Sequence, residues 1–300
     1  MTEYHVPVLL GPSLDLLDIR PDGTYIDLTF GGGGHSRGIL ERLGKRGRLY
    51  GFDQDRDAAS NRIDDPRFTL VESNFRFVRG QMRWRGVEQV DGILADLGVS
   101  SHHFDTGQRG FSFRFDAPLD MRMNQRATFT AADVINTYDP ERLTRLLGEY
   151  GEIDTPYKVA ACIGRARAAE PITTISGLIG AVKPCTPKKD ENKFLSKLFQ
   201  AIRIEVNHEM EALRMMLEQS ARLPRPGGRL VVISYHSLED RLVKNFFRAG
   251  NFSGEVEKDF YGRPQVPFEL ITRKAVVPSA EEQAGNPRSR SAKLRAVAKR

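Results

Sequence analysis

The chain has 300 residues, of which 40% are hydrophobic and 28% charged, and its formal net charge is +6. This composition is typical of soluble globular proteins and allows one large domain or two ordinary ones. No apolar run is long enough to span a membrane, and the N-terminus does not resemble a secretory signal. Cys162 and Cys185 lack metal-ligand spacing. We therefore expect a cytoplasmic protein with no membrane segment, disulfide framework or metal site.

Strand and helix signals alternate along the first hundred residues. Short apolar strands are predicted at 24–28, 48–52, 67–71 and 91–95, with helical segments between them at 36–43 and up to residue 62. Three more strands are predicted at 229–234, 268–272 and 293–298. Apolar strands separated by helices indicate a parallel sheet with helices on both faces. The fold class is therefore α/β and Rossmann-like.

The interval between the fourth and fifth predicted strands is far too long for an ordinary crossover. Helices are predicted within it at 140–149, 156–169, 175–182 and 192–222, the last from apolar residues at helical spacing. We therefore predict an all-helical subdomain at 111–222, inserted between the two parts of the α/β domain at 1–110 and 223–300. After the insertion, Ser237 and Asp240 are predicted to cap a helix, and residues 278–290 are predicted to be irregular.

A glycine-rich turn, Asp27 to His35, lies where the first strand meets the first helix. Glycines let the backbone turn sharply and approach a ligand closely. Asp53 ends the second strand, where a carboxylate can accept hydrogen bonds from the two hydroxyls of a ribose. The pattern therefore predicts a site for a cofactor that contains ribose.

Two cofactor classes suit such a turn. The dinucleotide fingerprint requires a third glycine, and Ser36 or Arg37 stands at that position. The acidic residue followed by alternating small residues, Asp27-x-Thr29-x-Gly31-x-Gly33, is typical of enzymes that bind S-adenosylmethionine. A sulfonium cofactor has no pyrophosphate and does not need the third glycine. The pattern favours the methyl donor over a dinucleotide.

Asp96 ends the fourth strand, where this fold brings the transferred methyl group close. Methyl transfer from a sulfonium requires positioning and no metal. Methylation of carbon 5 of a pyrimidine requires a cysteine nucleophile, but Cys185 lies inside the helical insertion. An exocyclic amine or a ribose hydroxyl is the better acceptor, and Asp96 is the candidate acceptor for the N–H groups of an amine. The alternative is that Asp96 caps the next turn.

Aromatic and basic residues alternate after the fourth strand, a mixture that suits a splayed-out RNA base. They are Phe104, Phe111, Phe113 and Phe115 with Arg109, Arg114 and Arg122. The alternative is that these rings pack into the insertion. His236, at the tip of the fifth strand, is a candidate substrate contact or a structural residue, and the basic residues of 286–300 either contact phosphates or belong to a solvated tail.

The sequence resembles the ribosomal RNA small subunit methyltransferase H family, also called MraW. The resemblance spans nearly the whole chain and rests on these segments, in order: His5-Val6-Pro7-Val8-Leu9-Leu10, Thr29-Phe30-Gly31 to His35-Ser36, Asp96-Leu97-Gly98-Val99-Ser100-Ser101, Arg109-Gly110-Phe111-Ser112-Phe113, Pro118-Leu119-Asp120-Met121-Arg122-Met123, Phe199-Gln200-Ala201-Ile202-Arg203-Ile204, His236-Ser237-Leu238-Glu239-Asp240-Arg241 and Asn286-Pro287-Arg288-Ser289-Arg290-Ser291.

The resemblance implies a class I S-adenosylmethionine-dependent methyltransferase that methylates N4 of a cytidine in the decoding region of 16S rRNA, as part of the small ribosomal subunit. It implies cofactor contacts by Gly33, Gly34, His35, Asp53, Phe75, Asp96 and His103, the last standing where the family often has Gln. Together with the aromatic and basic pattern, it nominates Arg109, Phe111, Asp120, Arg122 and His236 as substrate contacts. Two departures are Tyr235, where the family usually has Phe, and Lys197-Leu198, where Arg-Thr is usual.

Three alternatives remain open at this stage. The first is methylation of another RNA amine or of a hydroxyl. The second is a dinucleotide-dependent oxidoreductase, and the third is a non-catalytic RNA-binding protein. The sequence leaves open whether the substrate is naked RNA or an assembled subunit, and it leaves the oligomeric state open, with a dimer among the alternatives.

Overall fold

The structure, a computed structural model, describes residues 7–98 and 107–300. The chain divides into two compact units, Met1–Gly98 with Met210–Arg300, and Val99–Glu209. We call the first the sheet unit and the second the helical unit. The sequence-based boundaries, after residues 110 and 222, therefore lie 12 or 13 residues downstream of those that the structure gives.

Seven strands among the described residues form one sheet in the order β3-β2-β1-β4-β5-β7-β6. They are β1 Thr24–Asp27, β2 Arg48–Asp53, β3 Phe68–Glu72, β4 Val90–Asp96, β5 Pro224–Ser234, β6 Phe268–Leu270 and β7 Lys293–Lys299. β1 to β5 run parallel, and β7 is antiparallel to both β5 and β6. All seven predicted strands are present, and the predicted Rossmann-like class is confirmed.

Apolar side chains fill both faces of this sheet because successive strand residues point to opposite sides. In β1, Tyr25 belongs to one core cluster and Ile26 to the other, and in β4 Leu94 and Ile93 divide in the same way. The helices of the sheet unit are α1 Leu10–Leu17, α2 Gly34–Arg42, α3 Val78–Trp84, α9 Glu209–Ser220, α10 Ser237–Ala249 and α11 Ala280–Gly285. The predicted helical segment up to residue 62 is a 3-10 helix, Arg56–Asn61.

The helical unit has a core of its own. Between residues 107 and 209 its helices are α4 Ala131–Thr137, α5 Pro140–Glu149, α6 Pro156–Ala169, α7 Ile175–Val182 and α8 Glu191–Asn207. The bounds of α5, α6 and α7 are those predicted, because a proline or a threonine cap marks each start and the apolar spacing gives the length.

The long helix predicted at 192–222 is two helices, α8 and α9. His208 interrupts it with a left-handed backbone, φ 51°, and its N–H donates to the carbonyl of Glu205 at 3.2 Å. The apolar spacing continues across this break, but Ile202 lies in the core of the helical unit while Leu213 and Met216 lie in the core of the sheet unit. For this reason the predicted boundary at 222 is late.

Two other local predictions were wrong. Residues 278–290 are not irregular: they contain α11, capped by Ser279, followed by a 3-10 helix at Pro287–Ser291. The sequence analysis also did not predict the short helices α1, α3 and α4. In the described ranges, 7–98 and 107–300, no helix combines the length and the apolar character needed to cross a membrane.

Candidate functional site

Three acidic residues end three neighbouring strands of the sheet unit. Asp27 is the last residue of β1, Asp53 of β2 and Asp96 of β4. Because these strands run parallel, their carboxyl ends meet at one edge, next to the point where the strand order reverses between β1 and β4. In open α/β sheets, ligands bind at this switch point.

The turn after β1 is held by hydrogen bonds from both sides. The carboxylate of Asp27 is buried, and it accepts from the Ser36 hydroxyl at 2.7 Å and from the Thr29 amide at 3.1 Å. The Thr29 hydroxyl in turn accepts from the backbone amide of Asp96 at 2.7 Å. The turn is therefore fixed to the start of α2 and to the end of β4 before any ligand binds.

Glycine is required at specific positions of this turn. Gly31 and Gly33 have left-handed backbones, φ 50° and 75°, which side chains disfavour. At Gly34 a Cβ would lie 2.2 Å from Cγ of Pro7, whereas at Gly32 it would meet no atom within 4 Å. The backbone at Gly34 therefore packs closely against Pro7, whereas the backbone at Gly32 is open to its surroundings. An open backbone position is expected in a turn that receives a ligand.

Asp53 ties the turn to the loop after β2. One carboxylate oxygen accepts from the amide of Gly31 at 2.8 Å, and the other accepts from the amide of Asp55 at 2.8 Å. Both oxygens of Asp53 therefore accept from backbone amides at the cofactor edge of the sheet. The ribose contact stays a prediction, and the structure adds a second task for Asp53, the positioning of the glycine turn.

Asp96 lies between two polar side chains. Its Oδ1 accepts from the Tyr235 hydroxyl at 2.7 Å, and its Oδ2 is 3.7 Å from Nδ1 of His35. Burial raises the pKa of Asp96 to about 6, although His35 and Tyr235 both act to lower it. The side chain is 22% exposed, so its carboxylate is within reach of a ligand. A carboxylate with this pKa is a good proton acceptor near neutral pH.

His35 is held in one orientation at the start of α2. It is buried, and its Nε2 lies 3.2 Å from the carbonyl oxygen of Val8. A carbonyl only accepts, so Nε2 carries a proton and Nδ1 faces Asp96. The sequence nominated His35 as a cofactor contact through the family resemblance, and the structure places it beside Asp96.

Tyr235 was noted in the sequence only as a departure from the family pattern. It lies just after β5, the neighbour of β4, and its hydroxyl reaches Asp96 across 139 positions of sequence. Burial, the charge of Asp96 and their hydrogen bond all raise the pKa of Tyr235, so the hydroxyl stays protonated and donates. Its position at the end of a strand beside Asp96 is the signal that sequence reasoning missed.

Phe75 follows β3 at the same edge of the sheet. It begins a short 3-10 helix that Asn74 caps, and its half-buried ring packs against the core. The Asn74 side chain donates to Oε1 of Gln54 at 2.7 Å, which links the loops after β3 and β2. The role of Phe75 beside adenine stays a prediction. His103, the other contact implied by the family, lies outside the described residues.

Four of the nominated substrate contacts belong to the helical unit. Arg109 donates to the carbonyls of Arg122 and Met123 at 2.7 and 3.1 Å. Arg122 forms a bidentate ion pair with Asp120 at 2.6 and 2.7 Å. Burial acts to raise the pKa of Asp120, but the hydrogen bonds from Arg122 outweigh burial, and the pKa is lowered. Phe111 is buried in the core, the alternative that the sequence left open.

His236 belongs to the sheet unit and caps α10. The amide of Glu239 donates to its Nδ1 at 3.5 Å, and the carboxylate of Glu239 accepts from the amides of Tyr235 and His236. The predicted cap pair, Ser237 with Asp240, was therefore wrong by one residue. Asp240 instead pairs with basic side chains of β7, Arg295 at 2.7 Å and Lys293 at 3.2 Å, so this part of the basic C-terminal segment is structural.

A sequence profile described as the MraW methylase family matches residues 2–300. The chain belongs to the MraW methylase family. It is 59% identical over 297 residues to the ribosomal RNA small subunit methyltransferase H of Parabacteroides distasonis, covering 99% of this chain and 97% of that one. It is 57% identical to the protein of the same name from Bacteroides thetaiotaomicron, covering 99% and 98%. An rRNA methylase of known structure from Streptococcus thermophilus is 14% identical, with a TM-score of 0.40 and 98% of each chain covered.

Membership in the MraW family confirms the predicted enzyme class and the predicted cofactor. The protein is an S-adenosylmethionine-dependent methyltransferase. The residues present fit this group: three carboxylates lie at the cofactor edge, a favourable setting for a sulfonium cation and an unfavourable one for a pyrophosphate. In addition, the side chain of Ser36 is buried against Asp27 where a dinucleotide fold requires a glycine.

Proposed function

We propose that this MraW methylase methylates N4 of a cytidine in the decoding region of 16S rRNA, acting on the small ribosomal subunit in the cytoplasm. The observation that carries the proposal is Asp96, a partly exposed carboxylate at the cofactor edge with its pKa raised to about 6. The names of the relatives, small subunit rRNA methyltransferases at 57–59% identity, support the choice of RNA.

The amine of cytosine is a weak nucleophile because its lone pair is delocalised into the ring. A carboxylate that accepts one of its N–H groups makes the nitrogen more electron-rich as it attacks, and afterwards accepts or relays the proton. Asp96 supplies this carboxylate, and Tyr235 and His35 fix its orientation. S-adenosylmethionine, when bound, would supply the electrophilic methyl group, and the glycine turn, Asp53 and Phe75 would hold it.

Carbon-5 methylation is the alternative with a distinct chemical requirement, a thiolate near the cofactor. Cys162 and Cys185 both lie in the helical unit. Burial and the neighbouring Cys162 raise the pKa of Cys185 to about 12, so this side chain stays a thiol. As a thiol, Cys185 does not provide the nucleophile that this reaction needs, so the exocyclic amine remains the favoured acceptor.

We propose that the helical unit contributes to RNA recognition. The ring of Phe115 is 53% exposed and is available to stack on a base, whereas Phe113 packs edge-on against Phe199 at 5.5 Å. Lys197, which replaces the usual arginine of the family, donates to the carbonyl of Glu152 at 2.6 Å. This hydrogen bond ties the helix that carries Lys197 to the loop that contains Glu152.

The proposal is tested by incubating the protein with labelled S-adenosylmethionine and small ribosomal subunits from cells that lack this gene, followed by nucleoside analysis. We expect label in N4-methylcytidine at one decoding-region site, and about 10² to 10³-fold slower labelling with the Asp96→Asn variant at matched protein folding and cofactor binding. Label in another nucleoside would retain the enzyme class and refute the acceptor. Naked 16S rRNA, tested in parallel, distinguishes free RNA from the subunit as substrate.

A further inference from the structure

One surface of the sheet unit combines arginines with exposed aromatic rings. Phe75 is the only nominated site residue near it in the sequence. Between Asn74 and Val87 the chain has four arginines and no acidic residue. We call Arg76, Phe77, Arg79, Arg83, Trp84 and Arg85 the arginine–aromatic face. Within residues 7–98 and 107–300, none of its four guanidinium groups is paired with a carboxylate.

The helix that carries this face buries one side and displays the other. Val78 and Met82, one turn apart on α3, are fully buried in the core. The side chain of Phe77 is 45% exposed and that of Trp84 is 80% exposed. Seven residues, or two helical turns, separate these rings, which corresponds to about 10 Å along the helix. Single exposed rings are common on protein surfaces, but two on one short helix, each beside an arginine, form a surface suited to binding a partner.

Gly80 leaves the space between the two rings open. It lies one turn after Phe77 and one turn before Trp84, and a Cβ built there would meet no atom within 4 Å. Because there is no side chain at this position, a ligand can approach the helix backbone between the rings. The spacing is enough for two or three stacked bases at about 3.4 Å each.

The arginines hold the rings in place without being neutralised. The guanidinium of Arg85 lies 4.9 Å from the centre of the Trp84 ring, and it donates to Oε1 and to the carbonyl of Gln81 at 2.7 and 2.9 Å. The guanidinium of Arg76 lies 4.7 Å from the centre of the Phe77 ring. Each ring is thus oriented beside a positive charge that remains available to a phosphate.

We propose that the arginine–aromatic face binds an unpaired segment of RNA, with bases stacked on Trp84 and Phe77 and phosphates against the arginines, as a second contact with the rRNA substrate outside the methyl-transfer site. Rings and positive charge together match single strands, because a duplex hides the faces of its bases. An acidic protein partner would match the charge alone. The inference rests on the proposed function, since it takes the bound RNA to be the substrate.

Trp84 is the only tryptophan of the chain, so intrinsic fluorescence reports on this ring alone. The first experiment titrates the protein with a single-stranded oligoadenylate and, separately, with inorganic polyphosphate. We expect saturable quenching by oligoadenylate that weakens as salt is raised, and no comparable quenching by polyphosphate. The proposal would be overturned if oligoadenylate bound without changing the Trp84 emission. It would also be overturned if the wavelength of maximum emission shifted when the protein was concentrated without RNA, because Trp84 would then be covered by a second copy of the chain.

The second experiment compares Gly80→Glu with Gly80→Gln, which have the same size and differ in charge, and adds Trp84→Ala. We expect Gly80→Glu and Trp84→Ala to raise the KM for small ribosomal subunits about fivefold or more. The Gln variant should stay close to the wild-type KM, and kcat and the affinity for S-adenosylhomocysteine should be unchanged in all three. Circular dichroism checks that each variant is folded.

The two proposals fail in different ways. If the wild-type protein methylates no subunit, the proposed function fails, and quenching by oligoadenylate still tests the surface. If the wild-type protein methylates subunits and the KM is the same for Gly80→Glu, Gly80→Gln and Trp84→Ala, the second RNA contact is refuted while the activity stands.

Discussion

Replacing Asp96 by asparagine should strongly slow catalysis and at the same time stabilise the fold. Asparagine has the same shape as aspartate, and its oxygen can accept from the Tyr235 hydroxyl as the carboxylate does. What the substitution removes is a buried negative charge. Active-site residues often reduce stability in this way, because function needs a charged group where the fold would favour a neutral one.

The size of the effect follows from the pKa of Asp96. Burial raises it from 3.8 to about 6, a difference of about two units, or about 3 kcal/mol of unfavourable free energy for the ionised form in the folded state. A raised pKa means that this cost is absent well below pH 3.8, where the group is protonated in both states, and is still only about 0.5 kcal/mol at pH 4. It increases as the pH rises from 4 to 6 and is constant above about pH 7.

The assay is chemical denaturation of the wild-type protein and the Asp96→Asn variant at pH 8 and near pH 4. We expect the variant to be more stable by up to about 3 kcal/mol at pH 8 and by only about 0.5 kcal/mol near pH 4. Methyl transfer by the variant should fall by about 10² to 10³-fold, and wild-type activity should decrease as the pH falls through about 6, where Asp96 becomes protonated. A stability gain that is independent of pH, or no gain at pH 8, would refute the reasoning.

Three further substitutions test other parts of the site. Tyr235→Phe removes a hydrogen bond that lowers the pKa of Asp96. The acid limb of the pH–rate profile should therefore move to higher pH by about one unit. An unchanged profile would contradict this expectation. Gly34→Ala places a Cβ 2.2 Å from Cγ of Pro7. Calorimetry should show that it raises the Kd for S-adenosylhomocysteine at least about tenfold. The control Gly32→Ala, whose Cβ meets no atom within 4 Å, should leave this Kd unchanged. Phe75→Ala should weaken cofactor binding by about tenfold without changing the KM for RNA, and equal effects on both would count against an adenine contact.

The sheet could be predicted because each buried strand is a short apolar run bounded by polar or glycine residues, and this signal is local. The break at His208 could not, because the apolar spacing passes through it and the left-handed backbone of one polar residue leaves no trace in the pattern. The short helices α1, α3 and α4 were missed for the related reason that packing against the sheet or the helical core, more than intrinsic propensity, stabilises them.

The candidate site divides in the same way. Asp27, Asp53 and Asp96 were accessible to sequence reasoning because a residue at the end of a parallel strand has a known place in the fold. The contact of Tyr235 with Asp96 depends on the pairing of β4 with β5, and therefore on three-dimensional adjacency that no local pattern contains. The arginines and aromatic rings at 76–85 were visible in the sequence, but only their exposure on α3 distinguishes them from Phe111, which is buried.

The position of β7 between β5 and β6 has a consequence for how the chain matures on the ribosome. β1 to β4 are synthesised first, then the whole helical unit, and only afterwards the three strands that complete the sheet. The helical unit is one uninterrupted stretch of sequence with its own core, so its synthesis is complete, and it can fold, before the sheet unit is complete. During that interval β4 is an unpaired edge until Pro224–Ser234 emerges, and β5 in turn lacks its second partner until Lys293–Lys299 follows, so these edges are candidates for chaperone protection.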